Sequence, residues 1–92
     1  MSEETELLDA LLSLKSRQDL RRFLADLCTP GELDAFQERW QVARLLDEGK
    51  LTYRDIAART GASTTTVVRV ARFLHDMPHR GYRIVLDRRK KK

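Results

Sequence analysis

The stretch from Leu51 to Leu74, LTYRDIAARTGASTTTVVRVARFL, constrains this chain more than any other. It reads as a helix, a sharp turn at Gly61 and a second helix. Ile56 and Ala57 fall where two helices must pack closely. Gly61 follows Ala57 at the offset where a tight turn takes up a positive φ, which glycine adopts at little cost. Val67, Val70, Ala71 and Leu74 then return with a 3.6-residue period as the inward stripe of the second helix. This is the layout of a helix-turn-helix, in which the second helix lies in the DNA major groove.

Charge supports the same reading. The whole chain carries a net +4, but unevenly. Residues 1–50 hold 7 basic and 11 acidic side chains, a net of −4, whereas residues 51–92 hold 11 basic and 3 acidic, a net of +8. An electropositive region attracts phosphates and releases their counterions on binding. The segments therefore divide by role within one domain: 1–50 as N-terminal helices for dimerisation and core, 51–76 as the helix-turn-helix, and 77–92 as a short C-terminal segment with a basic tail.

The remaining pattern is all-α. Ninety-two residues imply one compact domain, and the hydrophobic fraction of 41%, with two prolines and four glycines, suits packed helices. Leu7, Leu8, Leu11, Leu12 and Leu14 form a stripe on a first helix that starts at Thr5 or an earlier polar residue. That stripe is richer in leucine than one small monomer easily covers, which points to a subunit interface. Ser16 caps a second helix with Asp19 in its first turn and Leu20, Phe23, Leu24 and Leu27 on one face. Thr29-Pro30-Gly31-Glu32 is a helix start with cap, first-turn proline and returning glutamate. The third helix carries Leu33, Phe36, Trp40 and Ala43 and stops near Gly49. Trp40 falls on the apolar stripe and reads as core rather than as a ligand platform. Thr52 caps a fourth helix, Ser63 or Thr64 a fifth, and Met77-Pro78 ends the fifth. Residues 79–86 read equally as a short helix or an extended segment. The five cations from Arg88 to Lys92 read as disordered on their own.

The fifth helix turns Thr64, Thr65, Val68, Arg69 and Arg72 away from its inward stripe. Threonine hydroxyls in a first helical turn bond phosphates or base edges, and threonine methyls and Val68 touch thymine methyls. Arg69 suits guanine or phosphate, Arg72 lies one turn later, and Arg54 suits backbone phosphate. The residues expected to meet DNA are Arg54, Ser63, Thr64, Thr65, Thr66, Val68, Arg69 and Arg72. Val68 is the odd member, because an apolar side chain on a solvent face has no packing reason to be there. Base contact, dimer contact or simple exposure each accounts for it. The run from Thr64 to Val68 is β-branched throughout and a poor intrinsic helix former, so packing must hold it.

Several chemistries find no support. No glycine-rich phosphate loop, metal-ligand cluster or catalytic constellation appears, so the chain reads as a non-enzyme needing no cofactor and no metal. His75 and His79 stand four apart, but Pro78 interrupts their helix. Cys28 is the only cysteine and reads as buried and structural. No apolar run approaches the roughly 20 residues of a membrane span. The acidic N-terminus is no signal peptide, and the expectation is a cytoplasmic protein.

The chain resembles the Trp repressor superfamily, in particular its Trp-repressor-like YerC/YecD branch. The strings that carry the resemblance are Asp26-Leu27-Cys28-Thr29 with Glu32-Leu33, Leu46-Asp47-Glu48-Gly49-Lys50, Thr52-Tyr53, Ile56-Ala57, Thr60-Gly61-Ala62-Ser63-Thr64, Thr66-Val67, Arg69-Val70, Arg72, Gly81-Tyr82 and Val85-Leu86-Asp87-Arg88. The resemblance implies an all-α helical bundle forming an intertwined homodimer, and a bacterial regulator of transcription that binds double-stranded DNA. It also implies a ligand pocket whose polar contacts match Thr29, Arg39 and Arg69. Where the family has a glycine after its pocket arginine this chain has Val70, and where it has a serine three residues further on this chain has Phe73. Their bulk should fill the space an indole occupies, so the expectation is a repressor that works without tryptophan, with any other small-molecule effector left open. The competing readings are a protein-interaction module and a non-specific or replication-initiator-like duplex DNA-binding domain.

Overall fold

The computed structural model describes residues 2–90. They form six helices and, among the described residues, no strand. The chain divides into two compact units, one ending at Leu33 and the other beginning at Asp34.

The first unit holds α1 (Glu3–Leu12) and α2 (Arg17–Leu27). Both start on serine caps. Ser2 Oγ accepts the Thr5 N–H at 3.1 Å, and Ser16 Oγ accepts the Asp19 N–H at 3.0 Å. Glu3, Glu4 and Glu6 lie in the first turn of α1, where the helix dipole favours negative charge. The helix ends before Leu14, which falls outside the stripe it was expected to extend. Ser13 stops it by donating its hydroxyl to the Ala10 carbonyl. No residue of α1 or α2 is buried. Cys28, expected to be buried, is only half-buried, because it terminates α2 in extended backbone within this thinly packed unit.

α3 (Pro30–Glu48) starts in the first unit and runs through the second. Its start is a complete capping box. Thr29 Oγ1 accepts the Glu32 N–H at 3.1 Å, and Glu32 Oε1 accepts the Thr29 N–H at 2.8 Å. That backbone hydrogen bond holds the Glu32 carboxyl below the usual carboxylate range. Gly49, at φ 71, lets the chain leave the helix.

The second unit adds α4 (Tyr53–Thr60), α5 (Thr64–His75) and α6 (Gly81–Lys90). Its core joins Val42 and Ala43 of α3, Ile56 of α4, Ala62 of the turn, and Val67 and Val70 of α5. Ala71, Leu74 and Leu86 are also buried. Full burial of a valine or isoleucine side chain is worth about 1.5–3 kcal/mol, so these contacts override the poor helix propensity of Thr64–Val68. Trp40 is half-buried rather than central. It packs against the core and stacks on Tyr82, with ring centroids 6.4 Å apart.

α6 settles the segment that the sequence left open, and it overturns the expectation of a disordered basic tail as far as Lys90. Arg88, Arg89 and Lys90 continue the helix, while Lys91 and Lys92 lie outside the described residues. The reason is pairing. Arg83 bonds Asp47 and Asp87, each at 2.9 Å, Lys90 bonds Asp47 at 2.9 Å, and the Arg89 guanidinium lies over the Trp40 ring. Repulsion within the cationic run is thereby offset by the acidic side chain near the end of α3.

Candidate nucleic-acid interface

α4, the turn and α5 are built so that one face of α5 is fixed inward. Thr52 Oγ1 caps α4 by accepting the Asp55 N–H at 3.1 Å. At the other end Gly61 takes φ 79, and its N–H bonds the Ala57 carbonyl at 3.0 Å. Thr60 braces the turn on both sides. Its hydroxyl donates to the Ile56 carbonyl at 2.8 Å and accepts the Ala62 N–H at 3.1 Å. Ser63 then caps α5, accepting the Thr66 N–H at 3.1 Å and donating to Thr66 Oγ1 at 3.1 Å.

With Val67, Val70, Ala71 and Leu74 buried, the opposite side of α5 faces solvent. Thr64, Thr65, Val68, Arg69 and Arg72 are exposed, as are Ser63 before the helix and Arg54 on α4. Val68 is 48% exposed, so its apolar surface has no internal partner that covers it. Thr66 is half-buried and its hydroxyl is engaged with Ser63, which leaves Thr64 and Thr65 as the more accessible hydroxyls of the first turn. Arg72 and His75 lie in the last turn, where the helix dipole favours cations.

Arg69 does not extend freely. Its guanidinium carbon lies 4.5 Å from the Phe73 ring centroid, and the Phe73 ring stacks on His79 at 6.5 Å with 10° between the planes. Trp40, Phe73, His79, Arg80, Tyr82 and Val85 line an open groove of about 490 Å³. Sequence reasoning missed His79 as a member of this cluster, because it follows Pro78 in a connection with no periodicity. The Arg69–Phe73 spacing of one helical turn was the available signal for the other contact.

The residues matched to a ligand pocket scatter in role. Thr29 is occupied in the α3 capping box. Arg39 donates its Nε–H to the Ala35 carbonyl at 3.3 Å and lies over Phe36. Val70 is 1% exposed within the core. Arg69 and Phe73 are brought into contact with each other. Among the described residues no group of three or more His, Cys, Asp or Glu side chains is placed to hold a metal ion, and no helix is long and apolar enough to cross a membrane.

Comparison with known proteins matches residues 2–90 to the model of the Trp repressor protein family. The chain belongs to the Trp repressor family. The uncharacterized protein YerC of Bacillus subtilis is 43% identical over 86 residues, covering 94% of this chain and 81% of YerC. The crystal structure of a putative Trp repressor from Staphylococcus aureus superposes with a TM-score of 0.86 at 38% identity, covering 96% of this chain and 86% of that one. A TrpR-like protein from Eubacterium eligens gives a TM-score of 0.84 at 42% identity, with 91% and 84% covered. Trp repressor membership and the six-helix fold point to a DNA-binding regulator.

Proposed function

We propose that this chain is a homodimeric, sequence-specific repressor that binds a near-palindromic DNA site through α4 and α5, without tryptophan as corepressor. The observation that carries the reading is the two-sided character of α5. Its inward stripe is locked in the core while Thr64, Thr65, Val68, Arg69 and Arg72 are exposed together. Arg54, Ser63 and Thr66 complete the interface, Arg54 as a phosphate contact and Ser63 and Thr66 as the cap that aims the first turn.

Dimerisation is supported by unpartnered apolar surface. Leu7, Leu8, Leu12, Leu20 and Leu27 are exposed in the first unit, with Leu12 at 80%. A second copy of the chain covers such leucines most simply. Two recognition helices in a dimer reach half-sites about 34 Å apart, which requires a two-fold symmetric site. In this reading residues 1–50 serve dimerisation and core, 51–76 bind DNA, and the basic segment 77–92 supports them. Independence from tryptophan rests on Val70 and Phe73, one filling core space and the other already in contact with Arg69.

The test is selection of bound duplexes from a random library near physiological salt, without tryptophan. Enrichment of a two-fold symmetric site is expected, with affinity falling steeply as salt rises. Recovery of no preferred sequence, with binding that still falls with salt, would leave only non-specific duplex binding. Calorimetry showing tight tryptophan binding would overturn the ligand-independent part.

A further inference from the structure

Three planar groups follow one another beside the exposed face of α5. The Arg69 guanidinium lies over the Phe73 ring one helical turn away, and the Phe73 ring lies nearly parallel to the His79 ring. His79 belongs to the connection between α5 and α6, where Arg80 adopts φ 56 and Gly81 opens the next helix. The column therefore ties a cation on the exposed face to a backbone segment outside α5.

We propose that Phe73 is a positioning residue for DNA binding: braced by His79, it holds the Arg69 guanidinium in one orientation before DNA arrives. The inference rests on the reading of α5 as the DNA-facing helix. A free arginine side chain has many rotamers, and ordering it on binding weakens the complex. Stacking on a ring removes much of that freedom in the unbound protein. It does so without consuming the donors, because the ring offers the guanidinium no hydrogen-bond acceptor lone pair and attracts it through the charge on its π face. The edge of Arg69 stays open for a bidentate bond to phosphate or guanine. An aliphatic side chain at position 73 preserves the packing volume but supplies no electron-rich face. His79 limits the swing of the Phe73 ring, so the connection before α6 contributes to where Arg69 points.

The experiment compares Phe73→Leu, Phe73→Tyr, Arg69→Met and the Phe73→Leu/Arg69→Met double variant with the full-length parent, after checking that each unfolds at a similar temperature. In the free protein, the Arg69 side-chain proton resonances are expected to be shifted upfield by the ring current, with the shift lost in Phe73→Leu and kept in Phe73→Tyr. Affinity for duplex DNA at low salt is expected to fall about 2- to 5-fold per recognition helix in Phe73→Leu, the worth of an exposed cation–π contact, and to be restored in Phe73→Tyr. The salt slope is expected to stay near the parent value in Phe73→Leu, because the phosphate contact is still made, and to drop by about one per helix in Arg69→Met if Arg69 meets phosphate. In the Arg69→Met background, Phe73→Leu is expected to change affinity no further. An equal loss in both backgrounds would overturn the proposal, since Phe73 would then act through the fold. A parent that binds DNA with unchanged affinity in Phe73→Leu would overturn the positioning role alone. A parent that binds no duplex DNA at low salt would overturn both this inference and the function it rests on.

Discussion

Lys90 Nζ, on the last residue of α6, lies 2.9 Å from Oδ2 of Asp47, one residue before the end of α3. Arg83 reaches the other oxygen of the same carboxylate, also at 2.9 Å. One acidic side chain thus fastens two points of α6 a little under two turns apart, and the bond from Arg83, followed by that from Lys90, holds the Asp47 carboxyl below its ordinary range.

Asp47→Asn is expected to destabilise the protein by about 1 kcal/mol near neutral pH, as charge-assisted hydrogen bonds are lost. The pH dependence has a definite sign. A carboxyl whose folded pKa is depressed stabilises the fold above its unfolded value of about 4, and that contribution disappears as pH falls through the folded value. Urea unfolding at pH 7 and pH 3 checks both points: the gap between parent and variant should narrow at the lower pH. Equal midpoints at pH 7 would show that the clasp contributes nothing.

Gly61→Ala tests the turn of the helix-turn-helix. A Cβ at Gly61 meets nothing within 4 Å, so the only penalty is the left-handed backbone at φ 79. The expected loss is about 1 kcal/mol. Gly31→Ala, where the space is equally open and φ is not positive, serves as the control and should lose no stability. Thermal unfolding of the two variants separates backbone strain from side-chain clash.

Leu8→Glu combined with Leu12→Glu is expected to convert a dimer to a monomer, because both side chains are exposed within the chain, Leu8 at 50% and Leu12 at 80%. Sedimentation equilibrium reads the result directly. A parent that sediments as a monomer would remove the dimer from the proposed function, whatever the variant does.

Hydrogen exchange tests α5. Its first turns rest on five successive β-branched residues, so the amides near Val67 and Val68 are expected to exchange faster than those of Val42 and Ala43 in α3, and to slow when DNA binds. Equally slow exchange in the free protein would show a helix already rigid without its partner.

The sequence by itself determined the local grammar. Ser16, Thr29, Thr52 and Ser63 each precede a helix and cap it through bonds between residues three apart, and Gly61 supplies the positive φ of the turn between α4 and α5. The stripe Val67, Val70, Ala71 and Leu74 was legible because a helix repeats every 3.6 residues, so burial on one face leaves a periodic trace. These signals are short-range, and a single chain states them fully. Tertiary structure decided what depends on distant partners. The cations from Arg88 to Lys90 have no helical reason to be ordered until Asp47, more than 35 residues earlier, is brought alongside Arg83 and Lys90. Likewise His79 becomes part of the Arg69 column only when the connection after α5 folds back onto Phe73. Ion pairs and ring stacking act over a few ångströms of space regardless of separation along the chain, so no periodicity announces them.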